Sequence, residues 1–515
     1  MTRRVIAIAS SSELAAQAGA RMAAEGGNAV DAAIAASLVQ LVTEPGVVSL
    51  GGGALITIWP GEDEPIMIDA ASEMPGRGLP EDAFGRAGLS VILDYGGGTP
   101  TCVGYGSVAT PGALAGLSLA ASRFGRLPWA VLVEPAYEHA RDGFPMPEAS
   151  HNYLVHTHPG IFGWNPAAGS ALLDASGAAK RAGERVRVEH LDTTLRAIAD
   201  EGVAVFYRGE IGTRIARDMA EHGGILTRAD LSAYRAQVRP ALNIELDAWH
   251  IATSPPPSVG GPALVAMLQL MRGRPRGAWT PDEVRHLAEV QEAVLRFRID
   301  HLDESDTLDE DARRLLELAG AGQLALREPA STVHTSSVDA DGLGCSVTAS
   351  AGYGSGVMPP GTGVWMNNSL GEAELNRRGF HAWRPGTRII SNMAPTLARR
   401  DDGALLAIGS PGADRITTAI LQVMVGFAHL GLPLEQAVAA PRLHVEFTPE
   451  GARVAHESAL PVERIEHPTR LFEGRHMFFG GVAAALLQPP GGFEAAADPR
   501  RTGGIAITGD DEESD

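Results

Sequence analysis

The sequence predicts a mixed α/β (α+β) enzyme, and three observations carry that prediction. Hydrophobic residues make up 44% of the 515-residue chain and charged residues 20%, the balance of a soluble protein with a large core. The 61 glycines and 34 prolines amount to about 18% against a usual share of about 12%, which describes a turn-rich fold and excludes a long-helix one. The third observation is a change of texture. Helical apolar periodicity dominates before Ala330, and short alternating strands follow it.

Taken in order, the first expected element is a strand at residues 4–9. A helix over 11–25 follows, with capping-box spacing between Ser10 and Glu13 and a stop at Gly26-Gly27. Asn28, with Asp31 three residues on, caps a second helix that runs to Val42 and is apolar nearly all round, so it should be buried. Gly51-Gly52-Gly53 precedes a strand at 54–59, the wrong order for a dinucleotide loop; a close-packing or turn role fits better. Two helical pieces are expected over 110–145 and helices over 188–236, with a loop near Gly223-Gly224. The Pro255-Pro256-Pro257 stretch reads as a stiff loop into a helix from Pro262, and 281–298 as an amphipathic helix. The acidic run over 300–314 reads as solvated and mobile, with this mobile segment extending toward 331. Strands at 333–340 and 343–349, joined by Asp341-Gly342, form a hairpin. Residues 510–515 carry five acidic groups and no apolar one, which predicts a disordered tail.

Charge and composition exclude several functions. A formal net charge of −20 repels phosphate backbones and anionic lipid, so neither nucleic acid nor a membrane is an expected partner. Lys180 is the one lysine and lies in no phosphate loop, which excludes a Walker-type site and discounts Schiff-base chemistry. Cys102 and Cys345 make no disulfide framework and no metal site. His156-Thr157-His158 has strand-type metal spacing but no companion ligands, and reads as a surface pair. No Gly-x-Ser-x-Gly elbow occurs. The apolar residues 5–9 fall short of a signal-peptide core, and no run of about 18 apolar residues exists. A cytoplasmic protein without metal or cofactor is the expectation.

The most informative stretch is Ser331-Thr332-Val333-His334, a hydroxyl residue at the mouth of a hairpin strand. A threonine hydroxyl attacks a carbonyl well only when a base takes its proton, and its own α-amine can serve once the preceding peptide bond is cut. Alone this pattern is weak. The surrounding sequence strengthens it: Thr332-Val333-His334-Thr335-Ser336-Ser337 resembles the start of the small subunit of the γ-glutamyltranspeptidase family. Gly26-Gly27-Asn28-Ala29-Val30-Asp31-Ala32-Ala33, Pro111-Gly112, Gly125-Arg126-Leu127-Pro128, Gly143-Phe144-Pro145 and Pro257-Ser258-Val259-Gly260-Gly261 follow that family's order. So do Pro360-Gly361-Thr362-Gly363 with Asn367-Asn368, Met393-Ala394-Pro395-Thr396 and Gly409-Ser410-Pro411-Gly412.

The resemblance implies an αββα four-layer sandwich of the N-terminal-nucleophile hydrolases, self-cleaved between Ser331 and Thr332. It implies a large subunit 1–331 and a small catalytic subunit 332–515 forming a heterodimer, with a dimer of heterodimers as a further assembly. Thr332 would be the nucleophile, Ser350 its supporting hydroxyl, and the backbone N–H groups of Gly412 and Ala413 the oxyanion hole. Ser369, Glu372, Ser391 and Asn392 fall on substrate-binding positions, and no cofactor is implied.

The departures concern the substrate. The family's arginine for the substrate α-carboxylate aligns with Ala71, in Asp69-Ala70-Ala71-Ser72-Glu73-Met74-Pro75; Arg77 is the nearest substitute but needs a shifted backbone. The family's Ser-Ser pair reads Ser391-Asn392, its Gln/Glu and Asp positions read Ser369 and Glu372, and a pocket asparagine falls in a shortening near Gly352-Tyr353. The leading expectation is therefore a self-processing threonine hydrolase or acyltransferase with a non-standard small-molecule substrate. Amide or C–C hydrolysis of an amino-acid-derived intermediate in specialised metabolism is the form it takes. The alternatives are a conventional γ-glutamyl hydrolase/transferase acting on glutathione or γ-glutamyl amides, and an unprocessed, non-catalytic binding homologue.

Overall fold

The computed structural model describes residues 5–94, 98–272, 279–321, 332–373, 375–412 and 414–509. Two antiparallel sheets dominate. The seven-stranded sheet runs in the spatial order Gly504–Thr508, Ile6–Ser10, Val333–Asp339, Leu343–Ser350, Gly53–Pro60, Ile66–Ala70, Gln237–Pro240. The six-stranded sheet runs Gly492–Ala497, Ala483–Gln488, Leu405–Gly409, Thr396–Arg400, Trp249–Thr253, Leu242–Leu246. Residues on both sides of Thr332 contribute strands to both sheets, so neither half completes a sheet alone.

Three apolar cores separate four layers. Ala7, Trp59, Val338, Leu397, Leu405 and Ala485 meet between the sheets. The outer face of the first sheet packs on the helices Glu13–Ala24, Ala29–Thr43 and Ala113–Phe124. The second sheet packs on Gly260–Leu270, Pro281–Phe297, Leu308–Ala321 and Arg415–Met424. The αββα sandwich is thus realised, with both sheets buried on both faces.

The helix Ala29–Thr43 shows why the layers align. All fifteen of its residues are buried, and Asn28 and Asp31 form a capping box. The Asp339 carboxylate accepts from the Ala29 N–H at 3.0 Å, where the helix N-terminus favours negative charge. Near its other end the Gln40 amide donates to the His334 carbonyl at 3.2 Å and accepts from Thr335 Oγ1 at 2.8 Å. The helix therefore lies along the Val333–Asp339 strand and reads its register at both ends.

Several local expectations need correction. The first helix spans Glu13–Ala24 with Ser12 at its N-cap, because Ser10 Oγ is engaged across the sheet with Thr335 Oγ1 at 3.1 Å. The acidic run is not an irregular linker: Arg298–Leu302 is a wide helical turn, Leu308–Ala321 is a helix, and Asp303 is fully buried beside Arg298, while Asp300, Glu304, Asp306, Asp309 and Glu310 are solvent-exposed as the sequence predicts. Apolar positions Ala312, Leu315 and Ala319, which recur at helical spacing, fasten that helix to the core. His156 and His158 lie at the surface as expected, but on the helix Glu148–Phe162, where i,i+2 neighbours diverge, so the strand-type spacing does not apply. Ser331, Ala413 and residues 510–515 lie outside the described residues, as do 322–330.

The triple glycine is a close-packing device. A Cβ on Gly52 would sit 2.5 Å from the Ser350 carbonyl oxygen, and the Gly52 carbonyl accepts from Gly112 and Ala113 N–H at 2.9 and 3.0 Å. Gly52→Ala is therefore expected to destabilise the protein by about 2–3 kcal/mol and to displace Ser350; thermal melts of the purified variant against wild type measure it.

Candidate active site

Period-two alternation divides the 333–350 hairpin between two environments. Val333, Thr335, Ser337 and Asp339 face the helical layer, where Ser337 Oγ reaches the Ala29 carbonyl at 2.6 Å. His334, Ser336 and Val338 face the second sheet, as do Ser346 and Thr348 on the partner strand. Val333 pairs with Ala349, so Thr332, one residue earlier, comes opposite Ser350 at the end of this inter-sheet gap.

A cavity opens at that end. Its lining comprises Gly53, Ala71, Ser72, Thr332, Ser350, Ser369, Glu372, Leu375, Ile389, Ile390, Ser391, Asn392 and Met393. The structure thus brings together six of the sequence-derived site positions: Thr332, Ser350, Ser369, Glu372, Ser391 and Asn392. At about 40 Å³ the cavity has room for a few water molecules. Gly412 does not line it; with φ +126° it stands in the turn between the Leu405–Gly409 strand and the Arg415–Met424 helix.

Each wall is held by groups that do not themselves line the cavity. Asn367 bridges Gly51 O, Ala109 and the Ser369 N–H within 2.7–3.0 Å, and Asn368 accepts from the Tyr353 N–H at 2.7 Å and donates to Thr101 Oγ1 at 3.1 Å. The Asn-Asn pair is thereby the scaffold of the turn bearing Ser369 and Glu372. Ser258, at the end of the proline-rich loop, donates to the carbonyls of Ser391 and Met393 at 3.0 and 2.8 Å. That loop props the Ser391–Met393 wall.

His334 links the hairpin to the second sheet. Its ring nitrogens lie 2.8 Å from Thr348 Oγ1 and 2.8 Å from Ser336 Oγ. It packs so tightly on Gly409 that a Cβ there would fall 2.2 Å from the ring. Burial pushes its pKa down to about 3, and the ring is neutral.

The cations near Ala71 are already engaged. Arg77 pairs with Glu73 and Asp230, both at 3.2 Å, and so does not replace the missing arginine. Arg388, which the sequence reading missed, contacts Glu73 at 2.7 Å and Asp69 at 3.2 Å, donates to the Arg235 carbonyl at 2.6 Å, and lies over the Tyr234 ring. Ala71 packs with Leu55, Met67 and Met393. Among the described residues, Glu372 is the one charged side chain lining the cavity. Gly53, Ser72, Leu375, Ile389, Ile390 and Met393 are lining residues that sequence reasoning did not single out. Ser72 and Met393 stood inside quoted motifs, whereas Leu375, Ile389 and Ile390 carried no signal beyond being apolar.

The model of the gamma-glutamyltranspeptidase family matches residues 15–508. The chain belongs to that family. Among relatives of the gamma-glutamyltranspeptidase family, the glutathione hydrolase proenzyme of Escherichia coli is 28% identical over 531 residues, covering 96% of this chain and 90% of its own. The glutathione hydrolase proenzyme of Pseudomonas aeruginosa is 30% identical, covering 96% and 93%. The acylase ACY 1 proenzyme of Pseudomonas sp. strain SE83 is also 30% identical, covering 96% and 92%. Cephalosporin acylase from Bacillus halodurans superposes with a TM-score of 0.79 at 25% identity, over 98% of this chain and 96% of that one. This gamma-glutamyltranspeptidase-family member is accordingly an enzyme of the N-terminal-nucleophile hydrolase/acyltransferase class, which sets aside the non-catalytic reading. No helix among the described residues is long and apolar enough to cross a membrane, and none of their His, Cys, Asp and Glu side chains form a metal-binding group.

His334 imposes a pH signature. The unfolded imidazole protonates near 6.5 while the folded one stays neutral to about 3, so the unfolded chain takes the extra proton. Its contribution falls as pH drops below 6.5, by up to about 1.4 kcal/mol per pH unit. His444 is pushed down in the same way, and buried Glu44, raised to about 7, opposes both between 4.5 and 7. Comparison with His334→Gln isolates the first effect: denaturant melts at pH 7 and pH 5 are expected to show a shallower acid loss in the variant.

Proposed function

We propose that the protein is a self-processing threonine hydrolase or acyltransferase whose acyl substrate carries no free α-carboxylate. Cleavage between Ser331 and Thr332 frees an amine that accepts the Thr332 hydroxyl proton while Oγ attacks the substrate carbonyl. The leaving group departs with that proton, and water or an amine then releases the acyl-enzyme. Ser350, opposite Thr332, supports the nucleophile; the oxyanion donors are the Gly412 and Ala413 N–H groups by the resemblance alone, since Gly412 does not line the cavity and Ala413 lies outside the described residues. Interleaved strands keep the 1–331 and 332–515 parts together after the cut.

The observation that carries the substrate reading is the cavity lining, which holds one carboxylate and no cation among the described residues. Placing a second carboxylate beside Glu372 costs several kcal/mol unless a cation accompanies it, and Arg77 and Arg388 are already held in ion pairs with Glu73, Asp230 and Asp69. The names of the relatives accommodate both an acylase and a conventional glutathione hydrolase; the lining favours the former. Amino-acid-derived intermediates of specialised metabolism that lack this carboxylate are the substrate class it fits.

Matched p-nitroanilides test this reading. The γ-glutamyl substrate has an ammonium and a carboxylate, and the 4-aminobutanoyl analogue deletes the carboxylate alone. Wild type is expected to have the higher kcat/KM on the 4-aminobutanoyl compound, and brisk γ-glutamyl turnover would sink the proposal. Thr332→Ala is expected to abolish both processing, seen as one uncut band on a denaturing gel, and turnover.

A further inference from the structure

A second cavity, of about 440 Å³, is unused by the chemistry above and shares no lining residue with the catalytic one. One wall is Asn152 and His156 on the helix Glu148–Phe162, with Asp94 beside them. The other is the stretch from Arg470 to Phe478, spanning the end of the Thr469–Phe472 strand and the short Met477–Phe479 turn, together with Arg500. The walls come from opposite sides of Thr332, so the cavity exists only at the seam between the 1–331 and 332–515 parts.

The lining holds three arginines and two histidines against one carboxylate, in a chain whose formal net charge is −20. That reverses the sign of the surface at one place and suits an anion. The one carboxylate, Asp94, has a side chain 92% exposed and 3.6 Å from His156 Nδ1, so it is well solvated. Two of the arginines are already paired, Arg470 with Glu446 at 3.0 Å, and Arg500 with Asp498 at 3.0 Å and with Glu457. Arg475 is the cation left over: its Nε donates to the Ala439 carbonyl at 3.0 Å, and its Nη groups have no partner among the described residues. The Asn152 amide has none either. Burial lowers the His476 pKa, so that ring is neutral at pH 7. The Phe478 N–H donates to its Nδ1 at 3.1 Å, which places the ring hydrogen on Nε2 and makes that atom a donor. The apolar part of the lining is as ordered as the polar part. Phe472 and Phe478 stack with centroids 4.9 Å apart, and the Arg470 guanidinium lies 4.4 and 4.9 Å from their centres. A flat ring fits against such a platform.

We propose that this cavity binds an aromatic carboxylate, its ring against Phe472 and Phe478 and its carboxylate taken by Arg475, His476 Nε2 and the Asn152 amide. An ion without a ring leaves the phenylalanines wet, and a neutral ring leaves Arg475 without a counter-charge. The proposal does not depend on how the acyl half of the substrate is read, since the catalytic cavity contributes no residue to it. Its donors come from both parts of the chain, so the ligand bridges the two subunits that the proposed cleavage before Thr332 leaves.

Titration calorimetry on the purified full-length protein tests this with three probes. These are benzoate, its neutral counterpart benzamide, and acetate, which keeps the charge and lacks the ring. Benzoate is expected to bind with a Kd of about 1 mM or below, the scale of a small, efficient ligand. Benzamide and acetate are each expected to bind at least about tenfold more weakly, for the lost charge-assisted hydrogen bonds and the lost ring burial. Arg475→Ala is expected to weaken benzoate about tenfold, and Asn152→Ala, on the opposite wall, about threefold. Both side chains are exposed, so neither variant opens the core; where a thermal melt shows one unfolded, the other decides. Ser391→Ala, in the catalytic cavity, is expected to leave the benzoate Kd unchanged. A benzoate Kd above about 10 mM, or equal affinity for benzoate and either control, overturns the proposal. So does Arg475→Ala binding benzoate as tightly as wild type. An unchanged Kd in Asn152→Ala overturns the bridge between the two parts. A Kd raised by Ser391→Ala and not by Arg475→Ala puts the probe in the catalytic cavity and overturns the site. None of these outcomes touches the acyl-substrate reading, which the p-nitroanilides decide.

Discussion

Alternation along the 333–350 hairpin constrains everything around it. One set of side chains is committed to the helix Ala29–Thr43 and the other to the second sheet, so a one-residue slip would exchange Asp339 and Val338 between environments that tolerate only one of them. The contacts are specific at both ends. Asp339 meets a helix N-terminus, and His334 sits against a glycine that leaves no room for a side chain. The position of Thr332 at the cavity is a consequence of this register, not of any contact made by Thr332 itself.

The polar interior follows from the same arrangement. A four-layer sandwich buries both faces of both sheets, and a cavity at the edge of the inter-sheet gap must be walled by groups whose hydrogen-bonding capacity is met elsewhere. Asn367 and Asn368 meet that need for the Ser369–Glu372 turn, and Ser258 for the Ser391–Met393 wall. Charge is handled more strictly. Arg77, Arg298 and Arg388 all contact carboxylates near the cavity, and each removes a cation that would otherwise be available to an anionic substrate. The proposed substrate preference rests on the pairing of these arginines as much as on the residues that line the cavity.

Much of the scaffold was legible one element at a time. Asn28 and Asp31 have the spacing of a capping box because the reciprocal bonds join residues three positions apart, and the all-apolar stretch after them has no face left for solvent. Asp341-Gly342 marks a tight turn, and Gly342 takes φ +75° there. The misreadings have a common cause. Ser10 and Asp303 were judged from neighbours in sequence, whereas Thr335 and Arg298 decided their state. Residues 300–314 are acidic enough to read as a linker, and only the recurrence of Ala312, Leu315 and Ala319 on one helical face hinted at a packed helix with its acidic side exposed.

Composition, capping signals, hairpin chemistry and ordered motifs therefore determined, without coordinates, that this is a layered α+β chain with a hydroxyl nucleophile candidate at a strand mouth. These features are local: each is a preference of a few adjacent residues for a backbone shape. The fate of the cations was decided only in three dimensions, because whether Arg77 or Arg388 can meet a substrate depends on Glu73, Asp69 and Asp230. Such pairings follow distance and burial, which a linear order of residues does not contain.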